Sequence, residues 1–303
     1  MLVDRPTPVA RPVAPPAAVT VSLQESYRRC RRLHRQHGTT YYWATRALPR
    51  IKQHHVHALY GLCRYADEIV DGPQGSPQAR AAALGQLRAE LAHDLQRRHS
   101  DHEVLKAVVH TALAFDLDPS LFDRFFEAMA QDLTVDRYET YQDLLGYMDG
   151  SAAVIGEMML PILEPADPQG AVSGARDLGL AFQLTNFLRD VGEDLDRGRI
   201  YLPQEDLRRF GTDPTRRRVD DPWRQLCRFE IRRIRALYAS ADEGIGYLPP
   251  SSAAGIRAAR ILYGEILERI EANDYDVFSQ RARVPLPRKL AVAVSQFARR
   301  GRA

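Results

Sequence analysis

The sequence predicts an all-α protein, a bundle of about ten helices around one core. Three observations predict it. Apolar residues recur at the i, i+3, i+4, i+7 spacing of an amphipathic helix along most of the chain from residue 22. No alternating run of β-branched residues bounded by turns marks a strand. Pro49, Pro119, Pro203 and Pro250 fall at helix starts or joints, where the missing N–H costs nothing. A hydrophobic content of 45% is enough to build a sizeable core.

The elements follow in order. Ser22 supplies an N-cap and Gly38 a stop for the first helix. Helical periodicity then covers 50–71, 77–99, 102–115, 119–134, 140–162, 169–195, 220–247, 251–273 and 287–299. The first twenty residues are rich in Pro, Ala and Val and read as a disordered arm, not as a signal peptide. Residues 21–300 read as a single helical domain, with no internal repeat.

Composition narrows the function. Against 42 basic residues stand 39 acidic ones, a formal charge of +3, which argues against a nucleic-acid binder. Lysine occurs only at 52, 106 and 289, so the basic residues are nearly all arginine. Arginine suits bidentate contact with phosphate or carboxylate; a GC-rich genome gives the same bias. Cys30, Cys63 and Cys227 have no metal spacing and fit a reducing cytoplasm. No apolar run approaches the roughly 18 residues of a membrane span.

Two helices carry unusual stripes. In the first, Tyr60, Arg64, Asp67 and Asp71 are spaced 4, 3 and 4, among Leu59, Leu62, Cys63, Ala66, Ile69 and Val70. In the second, Gln183, Asn186, Asp190 and Asp194 share one narrow face, with Leu180, Leu184, Phe187, Leu188, Val191 and Leu195 around it. A solvated face is normally polar over a wider arc. Carboxylates at i and i+4 repel unless a cation lies between them. Oxygen ligands without His or Cys suit Mg²⁺, which keeps waters and bridges carboxylates to phosphate oxygens. Arg64, Arg189 and Arg199 complement a phosphorylated group. The pattern points to a diphosphate held by metal at one end of an apolar cavity. One D-x-x-x-D on a helix is usually a solvated face; two, each with polar companions a turn earlier, are not.

At these residues the chain resembles the squalene/phytoene synthase family. "YGLCRYADEIVDG" (60–72) and "QLTNFLRDVGEDLDRGRIYLPQEDL" (183–207) match its two signatures. "HGTTYYWATRALP" (37–49), residues 129–163 and residues 266–282 also match. The resemblance implies a class I isoprenoid synthase fold, with helices around a central apolar cavity. It implies Mg²⁺ or Mn²⁺ and head-to-head coupling of two geranylgeranyl diphosphates to phytoene through a cyclopropylcarbinyl diphosphate. Asp67, Asp71, Asp190 and Asp194 match the family's metal-binding aspartates, with Asn186 joining them and Gln183 beside them. Arg64, Arg189, Arg281, Tyr60 and Tyr263 match diphosphate contacts. Tyr41, Tyr147, Ala152 and Ile155 match the prenyl pocket. Squalene synthases carry a tyrosine where Gly150 stands, so Tyr147 becomes the candidate for proton handling.

Further readings stay open beside these. "RGRIYLP" reads as a flap whose Arg199 reaches the diphosphate, or Arg199 is a helix-end charge. The small residues of "SAAVIGEMMLPIL" leave room for a prenyl chain, lined further on by Met158, Met159 and Leu160, or let helices approach closely. Tyr41, Tyr42 and Trp43 can offer ring faces to a cation, or pack the core. Compact Thr45 favours a C20 over a C15 substrate. "HHVH" (54–57) reads as surface helix. No dinucleotide loop is present, so no NADPH is expected. Rival activities are a squalene-pathway enzyme acting on farnesyl diphosphate, a head-to-tail prenyltransferase or cyclase, and a non-catalytic assembly factor of the same fold. A lipid substrate and an apolar product imply peripheral membrane contact by a cytoplasmic protein, through the arm 1–20 or the terminal "FARRGRA".

Overall fold

A computed structural model describes residues 21–72 and 75–300, the side chains of 299 and 300 apart. The expected disordered arm at 1–20 lies outside the described residues, as do the last three residues. Helices come in the order α1 (Leu23–His37), α2 (Thr39–Thr45), α3 (Arg50–Asp71), α4 (Pro77–Arg97), α5 (Leu105–Ala114), α6 (Pro119–Gln131) and α7 (Tyr141–Met148). A π-helical turn, Asp149–Ala153, joins α7 to α8 (Val154–Leu163). Then follow α9 (Pro168–Asp196), α10 (Gln204–Phe210), α11 (Asp221–Ile245), α12 (Pro250–Ala272) and α13 (Leu286–Arg300). Among the described residues the only extended pairing is an isolated bridge between Arg137 and Ile200.

The helix ends follow local chemistry. Ser22 and Glu25 form a reciprocal capping box on α1. Asp167 accepts from the Gly170 N–H and Pro168 occupies the first turn, which starts the 29-residue α9. That helix ends at Asp196, and the chain turns away two residues later at Gly198, whose φ of 76° a residue with a Cβ adopts only at a cost. The expected continuous helix over 140–162 is instead interrupted by the π turn. A glycine within that turn and one just after it explain the tight packing. A Cβ at Gly150 would lie 2.3 Å from the Arg124 carbonyl oxygen, and one at Gly156 would lie 2.2 Å from that of Ala175.

Two apolar clusters make the core. One gathers α9, α11 and α12 around Trp223, Tyr238 and Leu262, all at most 1% exposed. Trp223 donates its indole N–H to the Tyr275 carbonyl at 2.9 Å, so the buried ring leaves no polar atom unsatisfied. The other gathers α3 to α6 and α8 around Leu59, Leu105, Phe125 and Met158. Ile256 packs against both.

The "HHVH" tract is not surface helix. Only His54 is exposed; His55 and His57 are buried where α3 packs between α1 and α5. His55 Nδ1 lies 3.0 Å from Thr111 Oγ1 and 3.2 Å from the Tyr27 hydroxyl. His57 Nδ1 lies 2.9 Å from His34 Nδ1. Burial pushes His55 down to about 4 and His57 down to about 3, so both are neutral, satisfied core groups.

Candidate active site

Between the two clusters runs a cavity of about 840 Å³, toward the upper end of small-molecule sites, about 300–1,000 Å³. Asp67 and Asp71 reach its mouth from α3, and Asp190 and Asp194 from α9. Tyr41, Tyr60, Arg64, Tyr147, Ala152, Ile155, Gln183, Asn186, Arg189, Arg199, Tyr263 and Arg281 also line it. Residues far apart in sequence therefore converge on one hollow, polar at one end. Leu48, Ala171, Gly174, Ile245 and Leu248 close the apolar part.

The acidic mouth is wired unevenly. Asp190 takes both Arg189, from its own helix, and Arg281, whose Nη2 lies 2.8 Å from Oδ2. Asp71 receives Arg199 Nη1 at 2.9 Å. Arg64 is turned to Glu68 at 3.1 Å. No arginine reaches Asp67 among the described residues, and Arg197 comes only to 4.0 Å from Asp194. Desolvation, and then the neighbouring Asp71, push Asp67 up to about 7. Desolvation and Asp190 do the same to Asp194. Two of the four carboxyls, one on each helix, thus have burial that the nearby charges, Arg64 for Asp67 and Arg197 and Arg199 for Asp194, offset only in part.

The Oδ1 of Asn186 is buried without a hydrogen-bond partner, while its amide nitrogen lies 3.4 Å from Gln183 Oε1. A buried acceptor left unpaired is costly unless something outside the chain meets it. No three His, Cys, Asp or Glu side chains converge into a closed metal cage among the described residues. An oxygen-lined mouth with unpaired acceptors, open to a ligand, fits a Mg²⁺-type ion shared with phosphate better than a protein-only site.

Among the lining groups that sequence reading missed are Asp132, Tyr201 and Lys289. Asp132 accepts from the Tyr147 hydroxyl at 2.9 Å and from the Tyr201 hydroxyl at 3.3 Å, and its backbone carbonyl accepts from Arg199 at 2.9 Å. Burial pushes Asp132 up to about 6, despite the opposing pull of Arg199. The signal was present: Phe122, Phe125 and Met129 form the apolar stripe of α6, and position 132 continues it. An acid on a buried face is the informative observation. Tyr201 stacks on Phe187 with centroids 3.9 Å apart, and Lys289 also lines the cavity, bonded to Thr39 Oγ1 at 3.0 Å.

Other expectations divide. The "RGRIYLP" segment is fastened rather than free. Its Ile200 N–H donates to Asp136 at 2.8 Å and Gln204 N–H to Tyr138 at 2.9 Å, which holds Arg199 at the mouth. Tyr41 lines the cavity and stacks on Tyr263 at 4.7 Å. Tyr42 instead packs against His34 and His57, and neither it nor Trp43 faces the cavity. Thr45 is a lining residue, its hydroxyl turned back onto the Tyr41 carbonyl at 2.8 Å. Met159 and Leu160 line the hollow, whereas Met158 lies in the core behind. Ser151, Ala152 and Gly156 line the cavity, and Gly156 also lets α8 touch α9.

Comparison with known proteins agrees with this geometry. The family model for squalene/phytoene synthase matches residues 34–288. A phytoene synthase of Arthrospira platensis is 38% identical over 281 residues, covering 88% of this chain and 90% of its own. The 15-cis-phytoene synthase of Synechococcus elongatus is 37% identical over 291 residues, covering 91% and 94%. Among solved structures, a dehydrosqualene synthase superimposes with a TM-score of 0.82 at 27% identity, over 93% of this chain and 98% of that one. A squalene synthase from Alicyclobacillus acidocaldarius gives 0.76 at 28% identity, over 84% and 96%. With an isoprenoid-synthase-like helical fold, two acid-bearing helices at one cavity mouth and these relatives, the chain belongs to the squalene/phytoene synthase family.

Proposed function

We propose that the chain is a prenyltransferase that couples two geranylgeranyl diphosphates head to head to phytoene. The observation that carries this reading is one cavity with an acid- and arginine-lined mouth and an apolar interior. Two of its relatives are named phytoene synthase and 15-cis-phytoene synthase.

Asp67, Asp71, Asp190 and Asp194, with Asn186 Oδ1, would hold Mg²⁺ or Mn²⁺; such an ion supplies charge neutralisation for a leaving diphosphate. Arg64, Arg189, Arg199 and Arg281 orient the diphosphate, with Tyr60, Gln183 and Tyr263 completing the polar end. The allylic C–O bond breaks and diphosphate leaves. The double bond of the second substrate supplies the electron pair for the new C–C bond, and loss of a proton closes a cyclopropane. The resulting cyclopropylcarbinyl diphosphate ionises in turn, rearranges and loses a second proton. Tyr147 is our candidate acceptor of a proton, passing its own to Asp132 along their hydrogen bond. The apolar walls keep water from the cations, and the ring faces of Tyr41, Phe187 and Tyr201 stabilise positive charge. Both ends of the reaction are lipids, so the enzyme works at a membrane surface; no helix among the described residues is long and apolar enough to cross one.

The test is direct. The purified chain is incubated with Mg²⁺ and labelled C20 or C15 diphosphate, and the hydrocarbon is identified by mass. Phytoene from the C20 substrate is expected. A C30 product from the C15 substrate alone sinks this reading in favour of the squalene-pathway one.

A further inference from the structure

We infer that α13 is the membrane-docking face of this protein and that it takes an anionic lipid bilayer. Among the described residues seven large hydrophobic side chains are exposed, and four of them lie on this helix: Leu286 at 53%, Leu290 at 39%, Val294 at 66% and Phe297 at 56%. Their spacing of 4, 4 and 3 residues puts them in one line, about 17 Å long at 1.5 Å per residue. The opposite face holds the helix to the body: Val292, Ala293, Lys289 and Gln296 are buried, against α12 and α2. The helix is therefore amphipathic in two senses, with one apolar line turned inward and a second turned to solvent.

Charge names the occupant. From Val277 to Ala303 the sequence contains no Asp or Glu but has Arg281, Arg283, Arg288, Lys289, Arg299, Arg300 and Arg302. Two of these are neutralised from outside the segment, Arg288 by Glu265 at 2.6 Å and Arg281 by Asp190 at 2.8 Å, which leaves the segment strongly basic towards its C-terminal end. An exposed apolar line within a wholly basic segment fits the interface of an anionic bilayer, where buried apolar area and electrostatic attraction add. A second copy of the chain fits less well. A line one side chain wide falls short of the about 800 Å² per partner of a stable interface, and two such basic segments would repel each other.

The placement bears on the chemistry, and here the inference rests on the proposed lipid coupling. The inner edge of α13 and its lead-in reach the cavity through Lys289, Val284 and Arg283. One helix therefore borders the reaction cavity on one side and presents the apolar line on the other. Docked on lipid, it brings the cavity rim to the surface from which long-chain diphosphates arrive and into which an apolar product leaves.

The experiment uses the full chain and sedimentation with vesicles of phosphatidylcholine, with or without phosphatidylglycerol. Binding is read without substrate, so it is independent of the proposed reaction. Wild type should pellet with phosphatidylglycerol vesicles, and added salt should weaken the binding. Leu290→Glu combined with Val294→Glu should lower binding at least about tenfold, since each adds a charge where lipid would sit, while turnover in detergent micelles stays unchanged. Val294→Ser is the milder variant should the double change unfold the helix, and it should lower binding by a smaller factor. Absence of wild-type binding, or equal binding by folded variants, overturns the inference. So does a concentration-dependent dimer that the same substitutions abolish, which would assign the line to a second copy. Loss of product with binding intact would instead count against the proposed reaction alone.

Discussion

The two acidic helices present the same pattern and are held in different ways. On α9, Asp190 is gripped by Arg189 from the same helix and by Arg281 from the segment before α13. On α3, among the described residues, Asp71 is paired with one arginine, Arg199, delivered by the strap that follows α9, and no arginine forms an ion pair with Asp67. The α9 side thus holds one aspartate gripped twice, Asp190, beside one that Arg197 approaches only to 4.0 Å, Asp194. The α3 side is balanced only by a borrowed group. A pair of carboxylates at i and i+4 has no fixed electrostatic meaning; what surrounds it decides whether it is a structural ion pair or a vacancy for a cation.

The sharpest way to break this contrast is to neutralise one carboxylate on each helix. Asp67→Asn and Asp190→Asn should each lower turnover by at least about 10³-fold, the scale of removing charge stabilisation from such a site. Their stabilities should move in opposite directions. Folded Asp67 holds its proton up to about 7, whereas an unfolded aspartate loses it near 4. Its burial therefore costs stability increasingly from pH 4 to 7 and fully above that. Asp67→Asn should melt higher than wild type at pH 8 and not at pH 4. Asp190→Asn strands Arg189 and Arg281 and should cost about 3 kcal/mol, the scale of breaking a buried pair. Calorimetry of both variants without metal decides this; equal shifts in one direction would erase the distinction between the helices.

Arg199→Ala tests the strap. Without it Asp71 and the Asp132 carbonyl lose their partner, and kcat/KM should fall about 10²-fold with the fold intact. Unchanged turnover would make Arg199 a helix-end charge and nothing more. At the apolar end, Thr45→Phe should cut turnover of the C20 substrate about tenfold while sparing a C15 substrate, a discrimination within reach of a hydrophobic pocket. The smallest effect is in pH. Asp67 and Asp194 both titrate near 7, and a bound cation needs them deprotonated. Apparent Mg²⁺ affinity, measured by calorimetric titration with inorganic pyrophosphate present, should fall about tenfold per unit below pH 7 for each proton displaced.

Legibility from sequence followed the strength of the periodic signal. The long helices α3, α9, α11 and α12 were predicted within a residue or two of their observed ends, because their apolar stripes run for five turns or more. Two helices of seven residues each, α2 and α10, were missed: neither has a side-chain cap, and two turns are too short to show a period. The aspartates of the mouth were visible as polar stripes in oily helices. Asp132 was not, because a lone acid at the end of α6 has no partner in sequence. Its partners, Tyr147 and Tyr201, come from elements 15 and 69 residues away and meet it only in three dimensions. The buried histidines of α3 misled for the same reason, since nothing local says that α1 and α5 cover them.

The π turn at Asp149–Ala153 carries an implication for anyone reshaping this cavity. It amounts to one residue more than a regular helix would need, and that surplus rotates everything after it by about 100°, the angle one residue subtends. Tyr147, before the surplus, and Ile155 and Met159, after it, consequently all look into the same hollow. Deleting a single residue there would yield a more regular helix yet swing the lining of α8 into the protein's interior, so redesign of this wall is safer by exchange than by shortening.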